Sequence, residues 1–256
     1  MHVVVIHGWR EETAELAQTL ATALGIMVFE ARQRLIGGGP AVVASFADQH
    51  QALSLAEKLS RSAVAALVVD ASEVRKRTGQ FIVRRFVLGE RSLSIEAGDD
   101  QRAEIAYDEV DLLLPATSII GQVETKTVTE RKFSLGKTII AGGIPLTKKV
   151  EHQEEITAEE RTRVLYLYAG NRPSALFSQI GMTYDGLGAA MKMSREQNFS
   201  HLTSELRRLA PGAGYDDRLL SRIGQARLLG PALPPETNLD LAAEILARTL
   251  RRRAPS

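Results

Sequence analysis

The chain contains no cysteine. Disulfides, thiolate metal sites, cysteine-held iron–sulfur clusters and thiol catalysis are therefore excluded. Its five histidines are His2, His7, His50, His152 and His201. They show neither the H-x-x-x-H nor the H-E-x-x-H spacing of a helical metal site, so no metal is expected. There is no run of about 18 apolar residues, which argues against a membrane-spanning helix. The opening residues Met1–Ile6 lack a basic leader region, and their apolar run is too short for a signal peptide. Cytoplasmic residence is the expectation. Charge of one sign is also missing. The 32 basic and 31 acidic residues leave a net charge of +1. Residues 1–79 carry 8 of each sign, 80–150 carry 10 of each, and 151–256 carry 14 basic against 13 acidic. No segment has the bulk basic excess of a nucleic-acid-binding domain.

What is present is ordinary globular composition, 44% hydrophobic and 25% charged over 256 residues. That is room for one large domain or two of common size. His2–Ile6 is a short apolar run suited to a buried strand. From Arg10 to Leu24, the residues Ala14, Ala17, Leu20, Ala21 and Leu24 recur at helical spacing, and Gly25 stands where a C-cap belongs. Ile26–Phe29 predicts a second strand. Gly37-Gly38-Gly39-Pro40 is a turn, and Ala41–Phe46 a third strand. Asp48 with Gln51 forms a capping-box pattern ahead of a helix faced by Ala52, Leu55, Ala56 and Leu59. Ala63–Val69 is the fourth strand.

The resulting βαββαβ order over residues 1–75 resembles a ferredoxin-like fold, which implies two helices on one face of a four-stranded antiparallel sheet. Within it, Val43-Ala44-Ser45-Phe46, Ala52-Leu53, Leu59 and Val68-Val69 faintly resemble a SPOR-type peptidoglycan-binding repeat. That match is short and lies in the second half of the unit, where such a domain would begin.

Residues 80–256 read as a β-rich domain with C-terminal helices, joined to the first near Glu73–Gly79. Phe81–Val83, Phe86–Leu88, Leu93–Ala97, Ala103–Tyr107, Val123–Val128 and Arg163–Ala169 are strand-like, and Val110–Leu114 reads either as a short helix or as an edge strand. Gly142-Gly143 suggests a hairpin turn between Thr138–Ala141 and Ile144–Thr147. Short, regularly punctuated strands predict an antiparallel sheet, bent or partly closed. Ile105–Val110 resembles a strand–turn pattern of pleckstrin-homology-like barrels. The resemblance implies a late helix plugging the barrel, a role suited to Gln197–Leu209, capped by Ser194 and faced by Phe199, Leu202, Leu206 and Leu209. A helical tail follows from about Asp216, which is placed to cap Leu219–Leu228. A last helix starts near Thr237–Asn238 and ends in Arg251-Arg252-Arg253, which suit a negative helix end. The fold class expected is thus α+β.

The catalytic motifs fail one by one. Val3–Gly8 resembles the strand-plus-His-Gly segment of α/β-hydrolases, but no G-x-S-x-G elbow accompanies it. Gly136-Lys137-Thr138 imitates the end of a P-loop, yet Arg131 occupies the position that requires glycine, and a strand follows in place of a helix. Adjacent pairs such as Asp99-Asp100 fall in turns. No catalytic residue and no cofactor is assigned.

Two sets of residues remain as binding candidates. Arg32 and Arg34 precede Gly37, Gly38 and Gly39, whose backbone amides could approach an anion, although turn geometry alone also explains the glycines. Lys126, Arg131, Lys132, Lys137, Lys148 and Lys149 stand against only Glu130, a local charge of +5. A run with Glu151, Glu154, Glu155, Glu159 and Glu160 follows and can compensate it. Only Phe133 interleaves with the basic residues, so base stacking is poorly supported and nucleic acid is not the favoured partner. The loops Asn171–Ser174, with Pro173 placed to begin a helix, and Tyr184–Gly188 are the places to look for a pocket. The composite expectation is a non-enzymatic protein-interaction or scaffold module that meets a protein partner or itself. A small-molecule or anion sensor built on the N-terminal domain is the alternative.

Overall fold

A computed structural model describes residues 1–76, 80–98, 101–133 and 147–251, without the side chains of 120–133 and 147–160. Among the described residues the fold is mixed α/β with three sheets. Residues 1–118 with 162–256 form one compact unit, and residues 119–161 form another.

The first sheet takes β1 (His2–Ile6), β2 (Ala41–Phe46) and β3 (Ala66–Asp70) in the order β2-β1-β3. Both pairings are antiparallel. His2 lies opposite Phe46 on one side and Asp70 on the other, with a register shift against β2 at Val4/Val5. β1 is apolar at every position from Val3 to Ile6 because both its faces are covered. Val4 and Ile6 join Ala17 and Leu20 of α1 (Ala14–Leu24), Ala31 and Leu35 of α2 (Val28–Leu35), and Leu59 of α3 (Gln49–Arg61). Val3 and Val5 point into a different core, described below.

The expected strand Ile26–Phe29 is a correction: it is the connection into α2 and the helix's first turn. Gly25 ends α1 at φ +68°, and the Met27 amide donates to the Glu30 carboxylate at 3.3 Å. The next seven residues carry Ala31 and Leu35 at helical spacing, so burying that stripe wins over the short apolar run. Met27 and Phe29 are left about two-thirds exposed. The sheet therefore lacks a fourth strand. A short helix, α4 (Ala71–Lys76), follows β3 directly.

Next come β4 (Phe81–Val83), β5 (Arg85–Leu88), β6 (Ser92–Glu96) and β7 (Arg102–Ala106). β5, β6 and β7 form an antiparallel meander in which Phe86 faces Ile95 and Leu93 faces Ile105. β8 (Val110–Phe133) and β9 (Thr147–Ala169) are 24 and 23 residues long, several times the common strand length. With β10 (Ala175–Ser178) and β11 (Gly214–Tyr215) they build a five-stranded sheet, β11-β8-β9-β10-β4.

That sheet is not wholly antiparallel, as the punctuation of the sequence had suggested. β10 runs parallel to β4, and β11 parallel to β8. The edge strands β4 and β11 are three and two residues long, and each parallel pair joins strands far apart in the chain, which parallel pairing requires. Ala175–Ser178 also replaces the helix expected after Pro173. Ala175 and Phe177 are buried while Leu176 and Ser178 are half-buried, an alternation that fits a strand. The hairpin expected at Gly142-Gly143 lies outside the described residues.

The α5 helix (Arg195–Leu209) begins as read, with the Gln197 amide donating to Ser194 Oγ at 3.2 Å. The helix expected from Asp216 is instead a 3-10 turn, Arg218–Leu220, followed by α6 (Arg222–Leu229). Ser221 caps α6, accepting from the Gly224 amide at 3.0 Å. α7 (Pro235–Leu250) closes the described chain, with Asn238 non-helical inside it.

Period-two alternation on β8 and β9 divides the interior. Leu113, Leu165, Leu167 and Phe177 pack with β5–β7 and with Phe199, Leu202 and Leu206 of α5. Leu112, Leu114, Val164, Tyr166 and Tyr168 face the other way and meet α7, α6 and the Val3/Val5 face of β1. The N-terminal sheet and the C-terminal helices thus share one core. Among the described residues, no helix is long and apolar enough to cross a membrane.

Candidate functional site

The glycine loop is held by the protein itself. Gly37 and Gly38 have φ of +91° and +77°, a region open to glycine. The Gly38 amide donates to the Leu35 carbonyl at 3.3 Å and the Gly39 amide to the Trp9 carbonyl at 3.4 Å. A Cβ on Gly39 would sit 2.6 Å from the Trp9 ring. The Gly39 carbonyl accepts from Arg218 at 2.6 Å, and Arg218 is in turn held by Asp216. Arg34 donates to the Val43 carbonyl, and Arg32 lies 3.3 Å from Glu12. Arg34 thus serves β2, and Arg32 pairs with the segment before α1.

The basic stretch divides between strands. Lys126, Arg131 and Lys132 fall on β8, and Lys148 and Lys149 on β9. Lys137 lies outside the described residues, as do the side chains of the other five. Among the described residues, no cluster of histidine and carboxylate side chains could hold a metal ion.

A cleft of about 1120 Å³ opens beside the end of α7. One wall is the Asn171–Ser174 loop, between β9 and β10. The other is the last turn of α7, where Arg248 and Arg251 stand one turn apart and so share a face. Val110 and Leu112 of β8, Ala247, Leu250 and Tyr168 give it apolar surface. The second loop singled out from sequence, Tyr184–Gly188, does not line the cleft; Tyr184 and Leu187 are buried in the core around α5.

The charges of the cleft are tied down. Arg251 Nη2 donates to Asp111 Oδ2 at 2.8 Å and also to the Gly170 carbonyl, and its guanidinium lies 5.9 Å from the centre of the Tyr168 ring. Arg248 Nε donates at 2.6 Å to Glu244, which is buried. Arg172 lies 3.1 Å from Glu109 and donates to the Glu104 carbonyl. No histidine lines the cleft. The arrangement offers fixed guanidinium donors over an apolar floor, which is equipment for binding.

Sequence reasoning noticed the Arg172 loop and the terminal arginines. It missed Arg248, Asp111 and Glu244, because only the fold brings α7 to the beginning of β8. The period-four pair Glu244/Arg248 was the one available signal.

Comparison with protein families, with curated proteins and with solved structures finds no match to this chain. The functional argument therefore rests on the chain's own chemistry.

Proposed function

We propose that this chain is a non-enzymatic protein-interaction module whose β8–β9 ribbon is the arm that meets a partner, in the first instance a second copy. One observation carries the reading. Residues 119–161 form a unit of their own, and the described elements within it are stretches of two neighbouring strands. Among the described residues of that unit no further element accompanies these strands, and a two-stranded ribbon is marginal in water by itself. Pairing with another chain supplies the missing layer.

Composition supports a second copy. The basic run 126–149, at +5, is followed by the Glu-rich run 151–160, so two arms can meet with opposite charges facing. The same proposal keeps the finer fold readings. The N-terminal unit is a ferredoxin-like arrangement short of one strand, and the remainder is a pleckstrin-homology-like arrangement with α5 as its late helix. The segments 1–75 and 80–256 are proposed as its two domains, joined through the core that β1 shares with α7.

The test is light scattering after size exclusion on the full chain and on a variant with residues 121–159 replaced by a short Asn-Gly turn. The full chain is expected as a dimer or larger. The variant is expected at the mass of one chain with unchanged helix content. A full chain that, like the variant, runs at the mass of its own single chain would overturn the reading.

A further inference from the structure

We propose that the cleft between α7 and the Asn171–Ser174 loop binds a small organic phosphate, a phosphomonoester carried on an apolar body. The anion reading drawn from sequence thereby moves from Arg32 and Arg34 to Arg172, Arg248 and Arg251. These three line a cavity, whereas the Gly38 and Gly39 amides of the glycine loop are engaged.

The donors left over carry the inference. Glu244 accepts from Nε of Arg248, and among the described residues neither Nη of Arg248 donates a hydrogen bond. Arg251 gives Nη2 to Asp111 and Gly170, and among the described residues its Nε and Nη1 donate to nothing. The carboxylates thus orient these guanidiniums, leaving the paired Nη groups of Arg248 and, on separate edges, Nε and Nη1 of Arg251. Such pre-orientation lowers the entropy lost when an anion is seated.

A planar carboxylate is satisfied by one guanidinium fork. Three guanidiniums, two at the end of the helix and one on the loop whose Nη groups already serve Glu109 and the Glu104 carbonyl, suit the several oxygens of a tetrahedral phosphate. The volume far exceeds that of a bare phosphate, and Val110, Leu112, Ala247 and Leu250 supply an apolar floor for the rest of the molecule. The three arginines are balanced by Asp108, Asp111 and Glu244. Recognition therefore depends on donor geometry and not on net field, and specificity for the phosphate group should be sharp. The inference stands apart from the ribbon proposal, since every lining residue belongs to the unit 1–118 with 162–256.

The experiment is calorimetric titration of the full chain with phenyl phosphate, with benzoate as the planar comparison. Phenyl phosphate is expected to saturate with a Kd of about 1 mM or lower, and benzoate to bind at least about tenfold more weakly. Arg248→Gln and Arg251→Gln should each weaken phenyl phosphate by about tenfold, while Arg34→Gln leaves it unchanged. Arg248→Gln strips a partner from buried Glu244 and can cost folding. Arg172→Gln, at a side chain that is half exposed, is the variant that keeps the fold, and it too should weaken binding. No saturation by about 10 mM phenyl phosphate, equal binding of benzoate, or unchanged binding in Arg172→Gln would each overturn the proposal.

Discussion

Replacing Gln225 by Met tests how the C-terminal helices are fastened to the long sheet. Gln225 lies on α6 and is 1% exposed. Its Nε2 donates to the Thr117 carbonyl of β8 at 2.8 Å and to the Leu219 carbonyl at 2.6 Å. Methionine keeps the length and most of the volume, so packing changes little. What disappears is both hydrogen bonds. The buried Leu219 carbonyl then bears most of the desolvation penalty of an unsatisfied acceptor, about 1–3 kcal/mol, and the partly exposed Thr117 carbonyl about 1 kcal/mol. The sum is about 2–4 kcal/mol, or roughly 5–15 °C in Tm for a chain of this size. Thermal unfolding followed by circular dichroism reads it.

Gln225→Glu adds a discriminating second arm. At neutral pH it sets a buried carboxylate against two carbonyl oxygens, which raises its folded-state pKa above the usual carboxylate range. Protonated, it can still donate one hydrogen bond. That variant's stability should therefore be greatest below the ordinary carboxylate pKa and fall as pH rises through the raised value. A Gln225→Met protein within about 0.5 kcal/mol of the parent would refute the reasoning, since that is the scatter of neutral surface changes.

Three further outcomes are expected. Burial pushes the Tyr184 hydroxyl up to about 12, with Arg195 acting weakly the other way, and burial also raises Tyr107, Tyr166 and Tyr215. The contribution of Tyr184 is thus fully present below its unfolded pKa of about 10 and lost as pH rises through about 12; urea midpoints across that window should fall less steeply in Tyr184→Phe, and an identical slope would count against it. A Cβ on Gly186 would lie 1.9 Å from the Phe86 carbonyl oxygen, so Gly186→Ala should lose about 3 kcal/mol or more in urea unfolding. Gly212→Ala, whose Cβ meets nothing within 4 Å, is the neutral control. Ser194→Ala removes the α5 cap and should cost about 1 kcal/mol by the same assay.

Local chemistry made much of this architecture readable. Ala41–Phe46 and the Ser194-capped helix stand where alternation and capping put them, because those signals lie within a few residues of one another. Ile26–Phe29 misled because four apolar residues satisfy a strand and a helix start equally; the deciding residues, Ala31 and Leu35, sit further along and count only once the α1–α3 face exists. Ala175–Ser178 is too short to announce itself, and its strand state depends on β9 and β4, far apart in sequence. The cleft was half visible for the same reason. The Arg172 loop follows an apolar strand and invites attention, whereas Arg248 and Asp111 are 137 positions apart and become neighbours only through the core that α7 shares with β8. The Gly37–Gly39 loop was readable as a turn, and the amides of Gly38 and Gly39 serve Leu35 and Trp9.

The central claim is that the β8–β9 ribbon is completed by a partner. Amide hydrogen exchange across residues 119–133 and 147–161, measured from dilute to concentrated protein, tests it most directly. The account predicts rapid exchange in the dilute monomer and protection that grows together with the associated mass, while the core strands around Leu165 and Phe177 stay protected throughout. Full protection of those ribbon amides in a protein that remains monomeric would show a self-sufficient ribbon and contradict the claim.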